Sequence, residues 1–206
     1  MAIKLTLIQG DCMKVLPKIP DRSIDLILTS PPFLDKEVQG DYYTFLDRFL
    51  SEAKRISKVI LMFNSSRRLV EICKRYSEDI AHVLIWNKVF TKTAFKYEPI
   101  FVMTEDKIFG RGRIYRDVLS YKVPINNKRH INENPVELYV ELLKFFREAK
   151  TVLDPFLGSG TTMQACLEEN RNCIGIERNP RYIETTKKRL NWGYSLADVE
   201  FKFRIE

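Results

Sequence analysis

The chain has 206 residues, 45% apolar and 12% aromatic, enough to bury one sizeable core, and it is read as a single domain, 1–206. Charged residues make up 30%, with only 8 glycines and 9 prolines, which excludes a disordered tail protein and a collagen-like chain. The net charge of +7 is uneven: −1 over residues 1–50, +8 over 51–133 (17 basic, 9 acidic) and 0 over 134–206. An excess confined to the middle is either solvated surface or a surface that faces phosphates. Apolar runs reach about five residues, against about 20 for a bilayer span, so no transmembrane segment is expected. Gly10 and Asp11 cut the first apolar run too early for a secretory signal, and an intracellular, cytoplasmic protein is expected. Cys12, Cys73, Cys166 and Cys173 form no CxxC pair and no zinc spacing, so free thiols and no metal are expected.

In chain order, strands are predicted at 4–8, 25–29, 58–63, 81–86, 99–103, 151–153 and 173–176, with a last strand VEFKFRI whose partner is open. Segments of helical period lie between them, which gives an α/β fold with a mostly parallel, doubly wound sheet. The clearest helix starts at Asp41 as cap and carries Tyr42, Phe45, Leu46, Phe49, Leu50, Ala53 and Ile56 on one face, a core stripe. Asn134-Pro135 and Asn179-Pro180 read as cap plus first-turn proline, opening helices of about 15 and about 11 residues. The strand-poor stretch 104–133 is the candidate insertion. Inside it, Arg111, Arg113, Arg116 and Lys122 alternate with Tyr115 and Tyr121, a mixture suited to backbone charges and base stacking.

Two segments carry chemistry. SIDLILTSPPF runs a buried strand into a turn made rigid by Pro31 and Pro32, neither of which has an N–H. Such a turn can simply end a strand. It can also hold two fixed acceptors, the Ser30 side chain and the Pro31 carbonyl, against the hydrogens of an aromatic amine. That favours a tetrahedral nitrogen with an exposed lone pair and stabilises the charge that develops as a methyl group arrives. Phe33 would offer a face for a base turned out of its stack. Carbon methylation of cytosine needs a thiolate, commonly placed after proline, and no cysteine here follows one.

The second segment, TVLDPFLGSGTTMQACLEENRNCIGIE, has the form strand, Gly-rich turn, helix, strand, acid. Glu177 stands 23 positions after Asp154, a spacing at which an acid can take ribose hydroxyls. Met163 occupies the place of the third glycine of a dinucleotide fingerprint, and no phosphate loop with Gly-Lys-Ser/Thr is present. A carboxylate at the strand end, Asp154, repels phosphate and attracts a cation such as the ammonium end of S-adenosylmethionine.

Together these residues resemble the amino-directed DNA methyltransferases of restriction-modification systems, in the permuted group whose catalytic motif precedes the cofactor motif. The catalytic pattern is matched by Ser30, Pro31, Pro32 and Phe33, and the cofactor pattern by Asp154, Pro155, Phe156, Gly158, Ser159, Gly160, Thr161 and Thr162. Glu177 falls on the family's ribose-binding acid, and Gly10-Asp11 resembles its segment near the cofactor adenine, which implies a role for Asp11. AHVLIWNKVF and YEPIFVM resemble the strands after the catalytic half. Where the family often has His-Pro-Thr-x-Lys-Pro, this chain reads His130-Ile131-Asn132-Glu133-Asn134-Pro135 and lacks the lysine.

The resemblance implies a Rossmann-like methyltransferase fold, S-adenosylmethionine as cofactor and double-stranded DNA as partner. It makes 104–133 a small target-recognition insertion, with Lys107, Arg111, Arg113, Arg116, Lys122, Lys128 and Arg129 on the nucleic acid. So short an insert implies a short site or contacts from a second subunit, as in a homodimer. Serine at the first catalytic position is typical of cytosine-N4 enzymes and aspartate of adenine-N6 enzymes, so Ser30 favours cytosine. Adenine-N6 methylation, RNA base methylation and an inactive DNA-binding module are the alternatives.

Overall fold

The structure, a computed structural model, describes residues 2–32, 40–89, 95–104, 116–124, 133–192 and 199–206. In chain order these residues give β1 (Ile3–Gln9), α1 (Cys12–Val15), β2 (Leu26–Thr29), α2 (Tyr42–Ile56), β3 (Val59–Phe63), α3 (Leu69–Arg75), β4 (Ile80–Val89) and β5 (Tyr97–Thr104). They continue with β6 (Val118–Lys122), α4 (Val136–Phe145), β7 (Thr151–Asp154), α5 (Thr161–Glu168), β8 (Asn172–Glu177), α6 (Pro180–Arg189) and β9 (Val199–Ile205). The nine strands form one sheet in the order β6-β4-β5-β3-β2-β7-β8-β1-β9. Its pairs are parallel except β3 with β5 and β4 with β5. This is the doubly wound, mostly parallel α/β sheet that the alternation of strand and helix signals predicts.

Residues of β2 and β3 are buried throughout, as continuous apolar runs must be in central strands covered on both faces. On one face Leu5, Leu26, Leu28, Leu61 and Val152 pack under Leu138 and Leu142 of α4 and Met163 and Cys166 of α5. On the other, Ile27, Ile60, Met62 and Leu153 pack under Leu46, Phe49, Leu50 and Ala53 of α2. The α2 stripe is therefore core. Asp41 caps it by accepting from the Thr44 N–H at 2.7 Å, and Asn179 caps α6 by accepting from the Arg181 N–H at 3.0 Å.

One expectation changes and two open points are filled. Asn134 does not cap α4: the cap position falls on Pro135, the helix has 10 residues, and the Asn134 amide donates instead to Tyr139 Oη at 3.0 Å. The strand-poor stretch 104–133 holds one strand among its described residues: β6 joins the sheet edge parallel to β4, and Trp86 Nε1 donates to the Tyr121 carbonyl at 3.0 Å. The last strand, β9, pairs in parallel with β1 along its whole length, from Ile3 with Val199 to Gln9 with Ile205. No helix among the described residues is long and apolar enough to cross a membrane.

The order of strands decides where chemistry can happen. β7 and β8 lie between β1 and β2, so the N-terminal strand ending in Thr29 and the later strand ending in Asp154 are hydrogen-bonded neighbours, with Ile27 opposite Leu153. In parallel sheets, ligands bind beyond the carboxyl ends of the strands. Here that edge brings together segments 125 residues apart in sequence.

Candidate active site

At this edge the carboxyl ends of β1, β2, β7 and β8 open into one cleft of about 550 Å³. Ser30, Pro31 and Pro32 line it from the β2 end. From the β7 end it is lined by Asp154, Pro155, Phe156, Gly158, Ser159, Thr161 and Thr162, with Glu177 at the β8 end and Asp11 after β1. Gly160 is the one expected cofactor residue among these turns that does not line the cleft. Phe33, the last catalytic candidate, lies outside the described residues.

Asp154 is the hub. It is 3% exposed, and its Oδ1 accepts from Thr29 Oγ1 at 2.7 Å and from the Phe156 N–H at 3.0 Å, while Oδ2 accepts from Thr162 Oγ1. Burial pushes its carboxyl up to about 6, against the opposing pull of the two threonine hydroxyls and the Phe156 N–H. Asp154 thus fixes its own turn and ties it to the strand that carries Ser30. Thr29 was missed by sequence reading; its place beside Ser30 in TSPPF offered the only signal.

The turn after β7 is held by shape as well as by hydrogen bonds. Gly160 opens α5 with φ +85°, a left-handed conformation that favours glycine, and an added Cβ would come within 2.8 Å of Thr186 Cγ2. Its work is therefore structural, behind the cleft wall. Leu157 lies directly over Gly175 of β8, where a Cβ would stand 2.4 Å from Leu157 Cδ2. Gly175 is a second residue that sequence reading passed over, although a glycine inside a strand marks close approach of another segment.

Glu177 accepts from the Gly158 N–H at 2.9 Å through Oε2 and from the Asn179 N–H at 2.7 Å through Oε1. Burial raises its carboxyl above the usual range, and those two N–H groups oppose the rise. The N–H of Gly160 donates to the Leu157 carbonyl at 3.1 Å. Two turn amides that would have to cradle a phosphate are thus spent inside the protein, and two carboxylates face the same space. This donor set fits a nucleoside with a positively charged end and does not fit a diphosphate.

Around this frame, Asp11 caps α1 by accepting from the Met13 N–H at 3.0 Å. Burial, reinforced by Asp11, pushes the neighbouring Cys12 thiol up to about 12, so this cleft-lining sulfur is no nucleophile near neutral pH. Phe156 packs edge-on against Phe45 and Phe49 of α2, at 5.9 and 5.2 Å between ring centroids. Opposite, Glu133 and Asn134 enter the wall; Glu133 is ion-paired with Arg189, which also donates to Thr161 Oγ1 at 2.7 Å.

Of the expected nucleic-acid contacts, Lys107, Arg111, Arg113, Lys128 and Arg129 lie outside the described residues, as does His130. The remaining two are separated. Lys122 ends β6 at the same edge as the cleft, opposite Val89, whereas Arg116 precedes β6 and lies toward the other edge. Among the described residues no group of three or more His, Cys, Asp or Glu is placed to hold a metal ion.

A family model described as DNA methylase (N6_N4_Mtase) matches residues 104–188. The chain is 30% identical to the type II methyltransferase M.HinfI of Haemophilus influenzae, over 90% of this chain and 68% of that protein. It is 25% identical to the DNA adenine methyltransferase YhdJ of Escherichia coli K12, over 90% and 82%. Among solved structures its fold is similar to PvuII DNA methyltransferase (cytosine-N4-specific), with a TM-score of 0.76, 17% identity and coverage of 97% of this chain and 90% of that one. It is also similar to M1.HpyAVI in complex with SAM, with a TM-score of 0.64, 21% identity and coverage of 90% and 99%. With the sheet, the shared cleft and this likeness in place, the chain belongs to the family of DNA methyltransferases that act on the N4 or N6 amino group of a base.

Proposed function

We propose that the protein transfers a methyl group from S-adenosylmethionine to the exocyclic amino group of a base extruded from duplex DNA, cytosine N4 first. The observation that carries this reading is the meeting of the Ser30-Pro31-Pro32 turn and the Asp154 turn in one cleft. When bound, the cofactor supplies an electrophilic methyl group on a sulfonium. Glu177 is suited to its ribose hydroxyls, Asp11 to its adenine end, and the Asp154 carboxylate to its ammonium end. Phe156, braced by Phe45 and Phe49, gives the cleft an apolar wall.

The chain's own residues do the positioning. Ser30 and the Pro31 carbonyl accept from the amine as its nitrogen becomes tetrahedral, and the proton it gives up leaves to solvent. Thr29, bonded to Asp154, keeps that turn in register with the cofactor side. The 104–133 segment, apart from Arg116 toward the other edge, is assigned to the duplex.

Incubation with labelled cofactor and mixed genomic DNA, followed by digestion to nucleosides, tests the reading. N4-methylcytosine supports it, N6-methyladenine moves it to the other base, and label in RNA but not in DNA overturns it. The adenine alternative is carried by the likeness to an adenine methyltransferase; cytosine is preferred here on Ser30.

A further inference from the structure

The edge that carries the cleft does not end at the catalytic turn. β3 is the neighbour of β2, with Thr29 opposite Met62, so Asn64 to Arg68 leave the sheet beside Ser30, on the side away from Asp154 and Glu177. β5 runs the other way and enters at this edge, where the Asn64 N–H donates to the Pro99 carbonyl at 3.1 Å. β4 and β6 leave there, with Val89 opposite Lys122. Arg67, Arg68, Lys96 and Lys122 therefore follow one another along the edge outward from the catalytic turn, and all but the half-buried Arg68 are exposed.

The two arginines are held by rings. The Arg68 guanidinium sits 3.8 Å from the centroid of Tyr42, a buried ring whose Oη accepts from Asn64 Nδ2 at 2.7 Å. The Arg67 guanidinium sits 4.4 Å from the centroid of Phe95, and Arg67 makes no ion pair among the described residues. The ring contact already restrains the Arg67 side chain, so its planar fork can meet a bidentate anion at little further loss of side-chain freedom. Glu98, next to Tyr97 at the start of β5, is ion-paired with Lys88 of β4.

We propose that Arg67 and Arg68 clamp the phosphates flanking the extruded nucleotide, and that Lys96 and Lys122 continue this track along the duplex backbone. The inference rests on DNA being the substrate and adds a contact surface outside the predicted insertion for the arginines. Phosphate contacts fix position without reading sequence, so the clamp strengthens binding to related and unrelated duplexes alike.

The test is a salt titration of duplex binding, followed by fluorescence anisotropy, for the full chain and for Arg67→Gln. That substitution keeps most of the stem against Phe95 and removes the charge; Arg67→Lys, which keeps a charge without the planar fork, is the second variant. Loss of one phosphate contact lowers the slope of log affinity against log salt by about 0.9, and the affinity by about eightfold at 0.1 M salt. Arg67→Gln is expected to show both losses with cofactor affinity unchanged by equilibrium dialysis, and Arg67→Lys to recover part of the slope. If the wild type methylates DNA and Arg67→Gln binds duplex with unchanged slope and affinity, the clamp is overturned alone. If the wild type methylates no DNA, the function it rests on fails, and the clamp with it.

Discussion

The two sides of the active edge are built differently. On the cofactor side, from β1 to β7, the polar groups are wired to one another: Asp154 to Thr29, Thr162 and Phe156, and Glu177 to Gly158 and Asn179. On the outer side, from β3 to β6, cations rest on aromatic rings at an exposed rim. A buried network with its partners in place fixes one geometry, which suits a ligand that is the same in every turnover. Ring-held cations at a rim suit a polymer whose sequence varies while its charge does not.

The sharpest way to break that contrast lies at the seam. Ser30→Ala should lower methyl transfer by about 10²–10³, the cost of removing one preorganised polar contact, with cofactor affinity retained. Single-turnover transfer beside equilibrium dialysis checks this, and near-normal transfer would remove Ser30 from its assigned role. Thr29→Val, nearly isosteric, takes from the buried Asp154 the hydrogen bond that links the two turns and should cost about 1–3 kcal/mol of stability. If denaturant unfolding shows no loss, the two sides are not coupled through this pair.

An effect of similar size is expected behind the cleft wall. Gly175→Ala drives a Cβ into Leu157 and should destabilise by about 1–3 kcal/mol, with cofactor affinity falling alongside. Combining it with Leu157→Ala, which removes the clashing atoms, should return part of that affinity if the clash is the cause.

The pH response separates the sides without mutation. Asp154 is raised from 3.8 to about 6 by burial, so the folded protein holds a proton there that the unfolded chain has released between those values. Its contribution to stability is present below about 3.8 and is lost as pH rises through about 6. Affinity for a cationic cofactor runs the opposite way, rising up to about tenfold per unit toward pH 6 and levelling above it; a flat profile from pH 5 to 7 would exclude Asp154 as the charge the cofactor meets. The smallest effect is expected for Arg116→Ala, because Arg116 lies toward the edge away from the cleft. Its duplex affinity should match the wild type, and an eightfold loss would place DNA on that edge too.

Local signals carried most of this fold. Buried strands such as β2 and β3 are continuous apolar runs, and Asp41 and Asn179 are caps whose side chains bond the next turn. What sequence hid was nonlocal. β6 is a short strand in a charged stretch, and it exists because β4 offers an edge and Trp86 a donor. Asn134 precedes a proline as a cap would, yet Tyr139 is the better partner for its amide. The Ser30 and Asp154 turns were each legible from their residue types, while Thr29 and Gly175 gain meaning only from what crosses over them.

The placement of β7 and β8 between β1 and β2 has a consequence for how the molecule is made. Leu26–Thr29 cannot acquire its inner neighbour until residues 151–154 have left the ribosome, so the early half waits with an unsatisfied ladder while the later half is synthesised. Truncation before Thr151 leaves β2 as the raw edge of a five-stranded piece, β6-β4-β5-β3-β2, and β1 without either of its strand partners, so the floor of the cleft exists only once β7 and β8 are in place.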